Sequence, residues 1–304
     1  MSDLESWRDG GARSAIVAFV DAVTTGERAV PPEERVAVFD NDGTLWTEKP
    51  MPTQLHYLLQ QWAAAAAADP VLAAQQPYAA AASSDFGWLG GAIDKHYAGD
   101  DSDLRLIVGA ILRASKGLSV TDYERSVTEF YARAEHLTLR KPYSNAVYQP
   151  MVELLRYLEA YGFTCYIVSG GDRDFMRPMT ADYYGIPPER VIGSAFGLEY
   201  SEGEVRYGDS FSFMDDGPEK PVRIWSRVGR RPLLAVGNSN GDLEMLRYAT
   251  AGGRGMALLV HHDDDTGRGD APYEKGAEKA LAATSDASIG LISVKDDWAT
   301  VFPE

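Results

Sequence analysis

Two carboxylates, Asp40 and Asp42, follow directly on an apolar run at residues 36–39. That run, Val-Ala-Val-Phe, is rich in β-branched and aromatic residues, as in a strand buried on both faces of a parallel sheet. Such a strand would deliver both carboxylates to the carboxyl edge of the sheet, where open α/β folds bind their ligands. The pattern predicts a functional site there, and an acidic surface turn is the alternative interpretation.

The chemistry open to this pair is attack on phosphorus. A carboxylate can act as a nucleophile and give an acyl phosphate, but a divalent cation must lie between the two anions before they can meet. Asp40 could attack with one oxygen and hold the cation with the other. Asp42 could protonate the leaving oxygen and later take a proton from water.

The residues around the two carboxylates suit this role. Asn41 would point its side chain away, while the main-chain carbonyl of its neighbour Asp42 could face the cation. Gly43 permits a tight turn. Thr44 can offer its hydroxyl and its N–H to phosphate oxygens.

A second polar cluster, Ser169-Gly170-Gly171, ends another apolar run at residues 163–168. A hydroxyl at the end of a strand, with two glycines opening the next helix, can bind phosphate. Ser169 would donate one hydrogen bond, and main-chain N–H groups such as that of Gly170 would donate more. The alternative is a serine that only caps the helix.

Lys220 stands at the start of a predicted helix, in the stretch Gly217-Pro218-Glu219-Lys220-Pro221. A cation is unfavourable at this end of the helix macrodipole. Its ammonium would be better placed between Asp40 and an incoming phosphate, although an ordinary surface lysine is the alternative.

Residues 233–243 hold a fourth pattern, a buried strand that passes through a glycine-bounded turn into a helix. This turn supplies oxygen ligands for a hard cation. Asn238 can bind through its amide carbonyl, and Asp242 can bind directly or by fixing ligands and waters.

Taken in this order, the four stretches resemble the motifs of the haloacid dehalogenase-like superfamily, with Asp40-Asn41-Asp42-Gly43-Thr44 as its Asp-x-Asp-Gly-Thr motif. The resemblance spans residues 36–246 and implies Mg²⁺-dependent phosphomonoester hydrolysis through an aspartyl phosphate on Asp40, with Asp42 as acid and base. It implies phosphate binding by Thr44, Ser169, Gly170 and Lys220, and a metal site of Asp40, Asp42, Asn238 and Asp242. The superfamily usually has an aspartate where Asn238 stands, so it is open whether Asn238 or Asp242 is the direct ligand.

Between residues 50 and 142 helical spacing recurs and no strand pattern appears. Helices are predicted over residues 54–68, 78–82, 104–114 and 121–134, the last begun by Thr121 with Glu124 at a capping-box spacing. In the resembled superfamily an insertion at this point forms a cap that closes over the active site. The cap position and the Ser-Gly-Gly turn look most similar to the phosphoserine phosphatase branch. Candidates for substrate contacts are Glu48, Trp88, His96, Arg113, Lys116 and Lys141.

The rest of the chain alternates strands with helices. Strands are predicted at residues 36–39, 163–168, 233–236 and 256–260, a turn with a further short strand within 186–192, and a hairpin at 196–207 around Ser201-Glu202-Gly203. This alternation implies an α/β fold, a Rossmann-like doubly wound parallel sheet with helices on both faces. We expect a core domain of residues 1–49 and 143–304, and a helical cap domain of residues 50–142 inserted after the first strand.

Composition narrows the classes of partner. The formal net charge of −16 over 304 residues argues against nucleic acid and anionic membrane surfaces, since both repel an acidic protein. The lone Cys165 excludes an internal disulfide and a cysteine-based metal site. No apolar segment is long enough to span a bilayer and the N-terminus lacks the basic start of a signal peptide, so we expect a cytoplasmic location. The His261-His262 pair precedes aspartates and glycines, a pattern typical of a solvated loop.

The sequence therefore predicts a Mg²⁺-dependent phosphatase that acts on a small-molecule phosphate ester, with its oligomeric state open. A dehalogenase would attack carbon and would need neither the cation nor Asp42, which counts against it. A phosphotransferase would carry the same residues. Intact Asp40 and Asp42 disfavour a phosphometabolite-binding module without turnover. Because the core residues address only the phosphoryl group or the cation, we expect the helical insertion to set substrate preference.

Overall fold

The structure, a computed structural model, describes residues 4–27, 29–97, 99–286 and 288–304. The chain divides into two compact units. The core unit comprises Met1–Pro50, Tyr131–Ser194 and Met214–Glu304, and the helical unit comprises Met51–Phe130 and Ala195–Phe213. No helix of the described residues is both long and apolar enough to cross a bilayer.

A seven-stranded sheet organises the fold, in the order β4-β3-β2-β1-β5-β6-β7. The strands are β1 (Val36–Phe39), β2 (Thr164–Asp172), β3 (Val191–Ser201), β4 (Glu204–Phe213), β5 (Leu234–Gly237), β6 (Met256–His261) and β7 (Gly290–Ser293). All neighbouring strands are parallel except β3 and β4. Every residue of the neighbouring strands β1 and β5 is buried, which explains their unbroken apolar sequences. The predicted mostly parallel α/β sheet is confirmed.

The register of the parallel strands brings the sequence motifs to one edge. Phe39 of β1 lies opposite Ile167 of β2 and Val236 of β5. Asp40 therefore leaves β1 at the level where β2 reaches Val168 and β5 reaches Gly237. The carboxyl ends of these three strands form the floor of the candidate site.

Among the described residues, several helices belong entirely to the core unit and flank this sheet. They are α1 (Gly11–Thr24), α8 (Gln149–Ala160), α9 (Arg173–Tyr184), α10 (Glu219–Val228), α11 (Leu243–Thr250), α12 (Glu278–Ala283) and α13 (Val294–Asp297). Strand β7 was not predicted, because its four residues, Gly-Leu-Ile-Ser, offer neither a long apolar run nor an alternating pattern.

The helical unit holds α2 (Thr53–Ala68), α3 (Pro70–Ala73), α4 (Tyr78–Ser83), α5 (Phe86–Tyr97), α6 (Ser102–Ser115) and most of α7 (Val120–Arg133). It also contains the predicted hairpin, formed by residues 195–201 and β4, whose turn is Glu202-Gly203. The hairpin packs on the helices of its own unit, since Gly117 N donates to Tyr207 O at 2.8 Å. The rings of Tyr123 and Tyr207 also meet edge-on at 5.2 Å.

The start of α7 corrects one prediction. Ser119 Oγ accepts a hydrogen bond from Asp122 N at 3.1 Å and donates one to Asp122 Oδ2 at 2.7 Å. The residue that caps this helix is therefore Ser119, and the predicted cap of Thr121 with Glu124 was wrong. Ser119 with Asp122 and Thr121 with Glu124 have the same Ser/Thr-x-x-Asp/Glu spacing. The hydrogen bonds form at the first of these two pairs.

Candidate active site

Lys220 joins three of the sequence motifs at one point. Its Nζ donates to Asp40 Oδ1 at 2.8 Å, to Asp242 Oδ1 at 2.6 Å and to Val168 O at 3.0 Å. These acceptors belong to the end of β1, to the middle of β2 and to the turn after β5. The lysine predicted beside Asp40 lies there, 180 residues away along the chain.

A buried lysine in the first turn of a helix needs anionic partners, and Lys220 has two. Its side chain is only 2% exposed, and α10 begins one residue before it. Burial alone would lower the pKa of Lys220, but Asp242 and Asp40 outweigh burial and raise it. The residue is therefore a fixed positive charge beside the candidate nucleophile.

Asp40 occupies a buried position rich in negative charge. Burial and then the carboxylate of Asp242 raise the pKa of Asp40 well above its ordinary value, against the opposing effect of Lys220. The Oδ1 atom of Asp40 accepts from Lys220. The one positive charge of Lys220 therefore faces two carboxylates, those of Asp40 and Asp242. When both carboxylates are ionised, the three groups together carry a net charge of −1, which a bound cation can neutralise.

Asp42 accepts a hydrogen bond from an aromatic side chain that is itself packed among other rings. The indole Nε1 of Trp46 donates to Asp42 Oδ1 at 2.7 Å, and the Trp46 ring packs on Tyr131 and Tyr143 with centroids 6.2 and 6.0 Å away. Burial raises the pKa of Asp42 to about 6, while the bond from Trp46 opposes this rise. Such a carboxyl can both give and take a proton near neutral pH.

The turn after the two carboxylates is packed too closely for any residue but glycine. Gly43 has φ +77°, and a Cβ built on it would lie 2.0 Å from Asn238 Nδ2. Thr44 donates from Oγ1 to Asn238 Oδ1 at 3.2 Å and from N to Asn41 O at 3.1 Å. Both donors of Thr44 thus have partners within the protein, and phosphate binding by Thr44 stays a prediction.

The fourth motif assigns different tasks to its two polar residues. Asp242 Oδ2 accepts from Asn238 N at 3.0 Å, from Ser239 N at 2.9 Å and from Ser239 Oγ at 3.0 Å, while Oδ1 accepts from Lys220. Both oxygens of Asp242 therefore accept hydrogen bonds within the protein, and Oδ2 holds the turn after β5. Cation binding by Asn238 and by Asp242 stays a prediction.

The Ser-Gly-Gly cluster lies in a strand and does not open a helix as predicted. Strand β2 continues to Asp172, with an irregular register between Ser169 and Asp172. Helix α9 is capped instead by Asp172, which accepts from Asp174 N at 3.0 Å. The prediction failed because an aspartate with a helix-capping side chain follows the glycines.

Ser169 and Gly170 nonetheless follow directly on Val168, whose carbonyl accepts from Lys220 Nζ. Ser169 is 1% exposed, and its Oγ accepts from Gly171 N at 3.2 Å. Gly170 is exposed, and its carbonyl accepts from Ser194 Oγ at 2.7 Å. Their contact with phosphate stays a prediction.

The oxygen donors around Asp40 suit a hard divalent cation. Among the described residues, no cluster of three or more His, Cys, Asp and Glu side chains is arranged to hold a metal. The available set is the Asp40 carboxylate, the Asn238 amide oxygen and the main-chain carbonyl of Asp42, which are ligand types that Mg²⁺ accepts. Glu48 adds a nearby carboxylate, with Oε1 3.4 Å from Asn238 Nδ2. The donor set therefore fits a hard cation.

Sequence reasoning missed His262 and Asp270. The loop after β6 was predicted to be solvated, but His262 and Asp270 are each only 2% exposed. His262 Nε2 lies 2.8 Å from Gly43 O, and its Nδ1 lies 2.7 Å from Asp270 Oδ2. The solvated-loop interpretation holds for residues 265–267, which are exposed, but it was wrong for His262 and Asp264, which are buried. The only sequence signal was the position of His262 just after a buried strand.

The other candidates for substrate contact are scattered. Glu48 belongs to the core unit and lies beside Asn238, and Lys141 is exposed in the same unit. In the helical unit Trp88 is half-buried, Arg113 lies over the Tyr78 ring at 5.9 Å, and Lys116 pairs with Asp209 at 3.1 Å. The side chain of His96 lies outside the described part of the chain.

The chain matches one protein-family model and resembles several solved structures. A family model described as haloacid dehalogenase-like hydrolase matches residues 37–247. A conserved functionally unknown protein from Anaerococcus prevotii DSM 20548 has a TM-score of 0.56 at 16% identity, with 93% of this chain and 91% of that chain covered. A protein of unknown function from Bordetella pertussis Tohama I has a TM-score of 0.53 at 15% identity, over 85% of this chain and 98% of that chain.

A third solved structure, cytosolic 5′-nucleotidase IIIB bound to cytidine, has a TM-score of 0.51 at 14% identity, covering 95% of this chain and 88% of that one. At these identities the three likenesses show a shared fold. A search of curated proteins gives no significant match.

Proposed function

The chain belongs to the haloacid dehalogenase-like hydrolases, whose family model spans more than half of it, and from this premise we propose that it is a Mg²⁺-dependent phosphatase. The substrate would be a small-molecule phosphomonoester, cleaved through an aspartyl phosphate on Asp40. The observation that carries the proposal is the position of Lys220, whose Nζ lies 2.8 Å from Asp40 and 2.6 Å from Asp242.

In the first step Asp40 attacks the phosphorus of the ester. Lys220 holds Oδ1 of Asp40, so the second carboxylate oxygen is the one that forms the new P–O bond. The fixed charge of Lys220 lowers the repulsion between this carboxylate and the incoming phosphate. The bond from phosphorus to the leaving oxygen breaks, and its electron pair stays on that oxygen.

Asp42 supplies and recovers the proton in this scheme. Trp46 holds its Oδ1, and the other oxygen carries the proton that passes to the leaving alcohol. In the second step the Asp42 carboxylate takes a proton from water, which attacks the phosphorus of the aspartyl phosphate. The products are inorganic phosphate, the free Asp40 carboxylate and a protonated Asp42, so atoms and protons balance.

Asp40, the main-chain carbonyl of Asp42 and Asn238 would hold the cation. When bound, Mg²⁺ supplies neutralisation of the phosphoryl charge. Asp242 acts on this site indirectly, because its Oδ2 holds the main-chain N–H groups of Asn238 and Ser239 in place.

A dehalogenase is the weaker alternative, since the indole-bound Asp42 and the ordered fourth-motif turn have no task in attack on carbon. A phosphotransferase uses the same groups and differs only in the acceptor that replaces water. Substrate preference is proposed to lie in the helical unit, because the core residues named above address only the phosphoryl group and the cation.

Phosphate release from a panel of small esters, measured with Mg²⁺ and with a chelator, tests the proposal. The panel includes nucleoside monophosphates, since cytosolic 5′-nucleotidase IIIB shares the fold, together with sugar phosphates, phosphoserine and an aryl phosphate. We expect Mg²⁺-dependent release from at least one ester, and none from the Asp40→Asn variant. Halide release from 2-haloacids with no phosphate release from any ester would overturn it.

A further inference from the structure

His262 is a buried side chain for which the proposed reaction has no direct task. Its Nε2 lies 2.8 Å from the carbonyl oxygen of Gly43, the residue between Asp42 and Thr44. Its Nδ1 lies 2.7 Å from Asp270 Oδ2. The ring therefore joins the nucleophile loop to the loop that follows β6.

The protons of this arrangement follow from its acceptors. A carbonyl oxygen can only accept, so Nε2 of His262 must carry a hydrogen. His262 Nδ1 meets Asp270 Oδ2 at 2.7 Å, so both ring nitrogens have a polar partner and the pair acts on the loop through its geometry.

Aromatic rings and a third hydrogen bond fix the orientation of the pair. Tyr148 OH donates to Asp270 Oδ1 at 2.7 Å. The ring of Tyr273 stacks on His262 with centroids 4.5 Å apart and planes 12° apart, and Tyr148 lies 5.7 Å away. His262 thus has little freedom to turn away from Gly43.

The loop that carries these residues is itself anchored in the core unit. Arg268 donates to Asp264 Oδ2 at 2.7 Å, to Trp298 O at 2.6 Å and to Val294 O at 2.7 Å. Asp264 is 1% exposed. A loop held by a buried carboxylate and two main-chain carbonyls can serve as a fixed support.

Gly43, the residue whose carbonyl contacts His262, is closely surrounded by other side chains of the candidate site. Gly43 has a positive φ and touches Asn238, and a Cβ on it would also lie 2.9 Å from Tyr273 OH. That hydroxyl lies 3.4 Å from Asn238 Nδ2. A shift of the Gly43 carbonyl would therefore move Asp42 on one side and Asn238 on the other.

We propose that His262 and Asp270 are positioning residues that hold the Gly43 turn and so fix the spacing of Asp40, Asp42 and Asn238. The inference rests on the proposed function for its effect on rate. A misplacement of about 1 Å can cost roughly 10²-fold in rate, so loss of this support is expected to lower kcat by about 10- to 100-fold and to leave KM within about threefold.

Three variants test the pair. His262→Phe keeps an aromatic ring that can stack on Tyr273 but lacks both ring nitrogens. His262→Gln keeps an amide N–H that can reach Gly43 O, and Asp270→Asn weakens the partner of Nδ1. His261→Gln is the matched control, because His261 is the adjacent histidine but its Nε2 contacts Glu274 at 3.2 Å instead.

Each variant is checked for folding by circular dichroism, then assayed for phosphate release and for amide hydrogen exchange over residues 41–46. We expect a kcat loss and faster exchange in His262→Phe, smaller changes in His262→Gln, and neither change in His261→Gln. If His262→Phe does not fold, His262→Gln and Asp270→Asn carry the test, with lower kcat and faster exchange expected in both.

The positioning role would be overturned if the folded variants of His262 and Asp270 kept kcat within twofold of the parent protein and showed unchanged amide hydrogen exchange over residues 41–46. Equal losses in His261→Gln would do the same, since they would indicate a general effect of the loop. If the parent protein releases phosphate from no ester, the proposed function fails. The exchange measurement still decides the positioning role in that case, because it needs no turnover.

Discussion

The ammonium of Lys220 lies 2.6 Å from Asp242 and 2.8 Å from Asp40, so one buried cation holds the fourth-motif carboxylate and the candidate nucleophile together. The three residues come from α10, from the turn after β5 and from the end of β1. Removing the cation would leave two buried carboxylates without their partner, which is far more costly than losing an exposed ion pair.

The variant Lys220→Met should therefore lower the free energy of unfolding by roughly 3–5 kcal/mol in the presence of a chelator. The double variant Lys220→Met/Asp242→Asn should recover part of the loss, because it leaves one buried carboxylate instead of two. Urea unfolding measures both. The control is Lys116→Met, which breaks the exposed pair with Asp209 and should cost at most about 1 kcal/mol. Equal losses in the two single variants would contradict this account.

Replacing Asp40 with Asn should abolish turnover and preserve the fold. An amide has nearly the shape of the carboxylate, but it is not a nucleophile. The measurements are phosphate release and the circular dichroism spectrum, together with mass spectrometry of the parent protein trapped during turnover, which should show a phosphoryl group on Asp40. A folded Asp40→Asn protein with normal phosphate release would remove Asp40 from the mechanism.

Asp42→Asn should lose activity most severely on esters with poor leaving groups. An alkyl alkoxide needs the proton from Asp42 as it departs, whereas an aryl oxide can leave without it. The ratio of kcat/KM for an alkyl and an aryl phosphate, compared between variant and parent, measures the effect. Equal losses on the two esters would assign Asp42 a structural or metal-binding role.

Asn238→Asp should tighten Mg²⁺ binding, because a carboxylate is a stronger ligand for a hard cation than an amide oxygen. Glu48 lies 3.4 Å from this side chain, so Glu48→Gln in the same background tests whether the gain depends on neighbouring charge. Calorimetric titration of the metal-free proteins gives the affinities. Unchanged Kd values in Asn238→Asp would place the cation elsewhere.

The buried carboxyl group of Asp215 should make the free energy of unfolding depend on pH. It is fully buried, and neither carboxylate oxygen has a hydrogen-bond partner among the residues that the structure describes. Burial raises the pKa of Asp215 to about 7, although Lys220 and Arg223 act in the opposite direction and Asp216 and Glu219 act with burial. In the folded state the carboxyl keeps its proton where the unfolded chain has lost it. This group therefore destabilises the fold increasingly as pH rises from about 4 to about 7.

Asp215→Asn should accordingly be more stabilising, relative to the parent protein, at pH 8 than at pH 5. The difference should be roughly 2–3 kcal/mol, at 1.36 kcal/mol per pKa unit. Urea unfolding at the two pH values measures it. The neighbouring Asp216→Asn, at a partly exposed position, is the control. A stability difference that does not change between pH 5 and pH 8 would show that Asp215 does not titrate in this range.

The sequence by itself determined the parallel sheet and the positions of its polar strand ends. Buried strands such as β1 and β5 leave unbroken apolar runs, and the carboxyl ends of parallel strands meet at one edge. Asp40, Ser169 and Asn238 could therefore be grouped from local patterns alone. Lys220 could be added because a cation at a helix start needs an anionic partner.

The contacts of those groups could be read only from the tertiary structure. The oxygens of Asp242 accept four hydrogen bonds, from Lys220, from Asn238 N and from the N and Oγ of Ser239. The grouping of the hairpin with the helical unit has no local signal, and the burial of His262 has only a weak one, its position just after β6. His262 meets Gly43 across 219 positions of the chain. Residue type and periodicity carry information about neighbours within a turn or a strand, whereas a partner so far along the chain is chosen by the packing of the whole core unit.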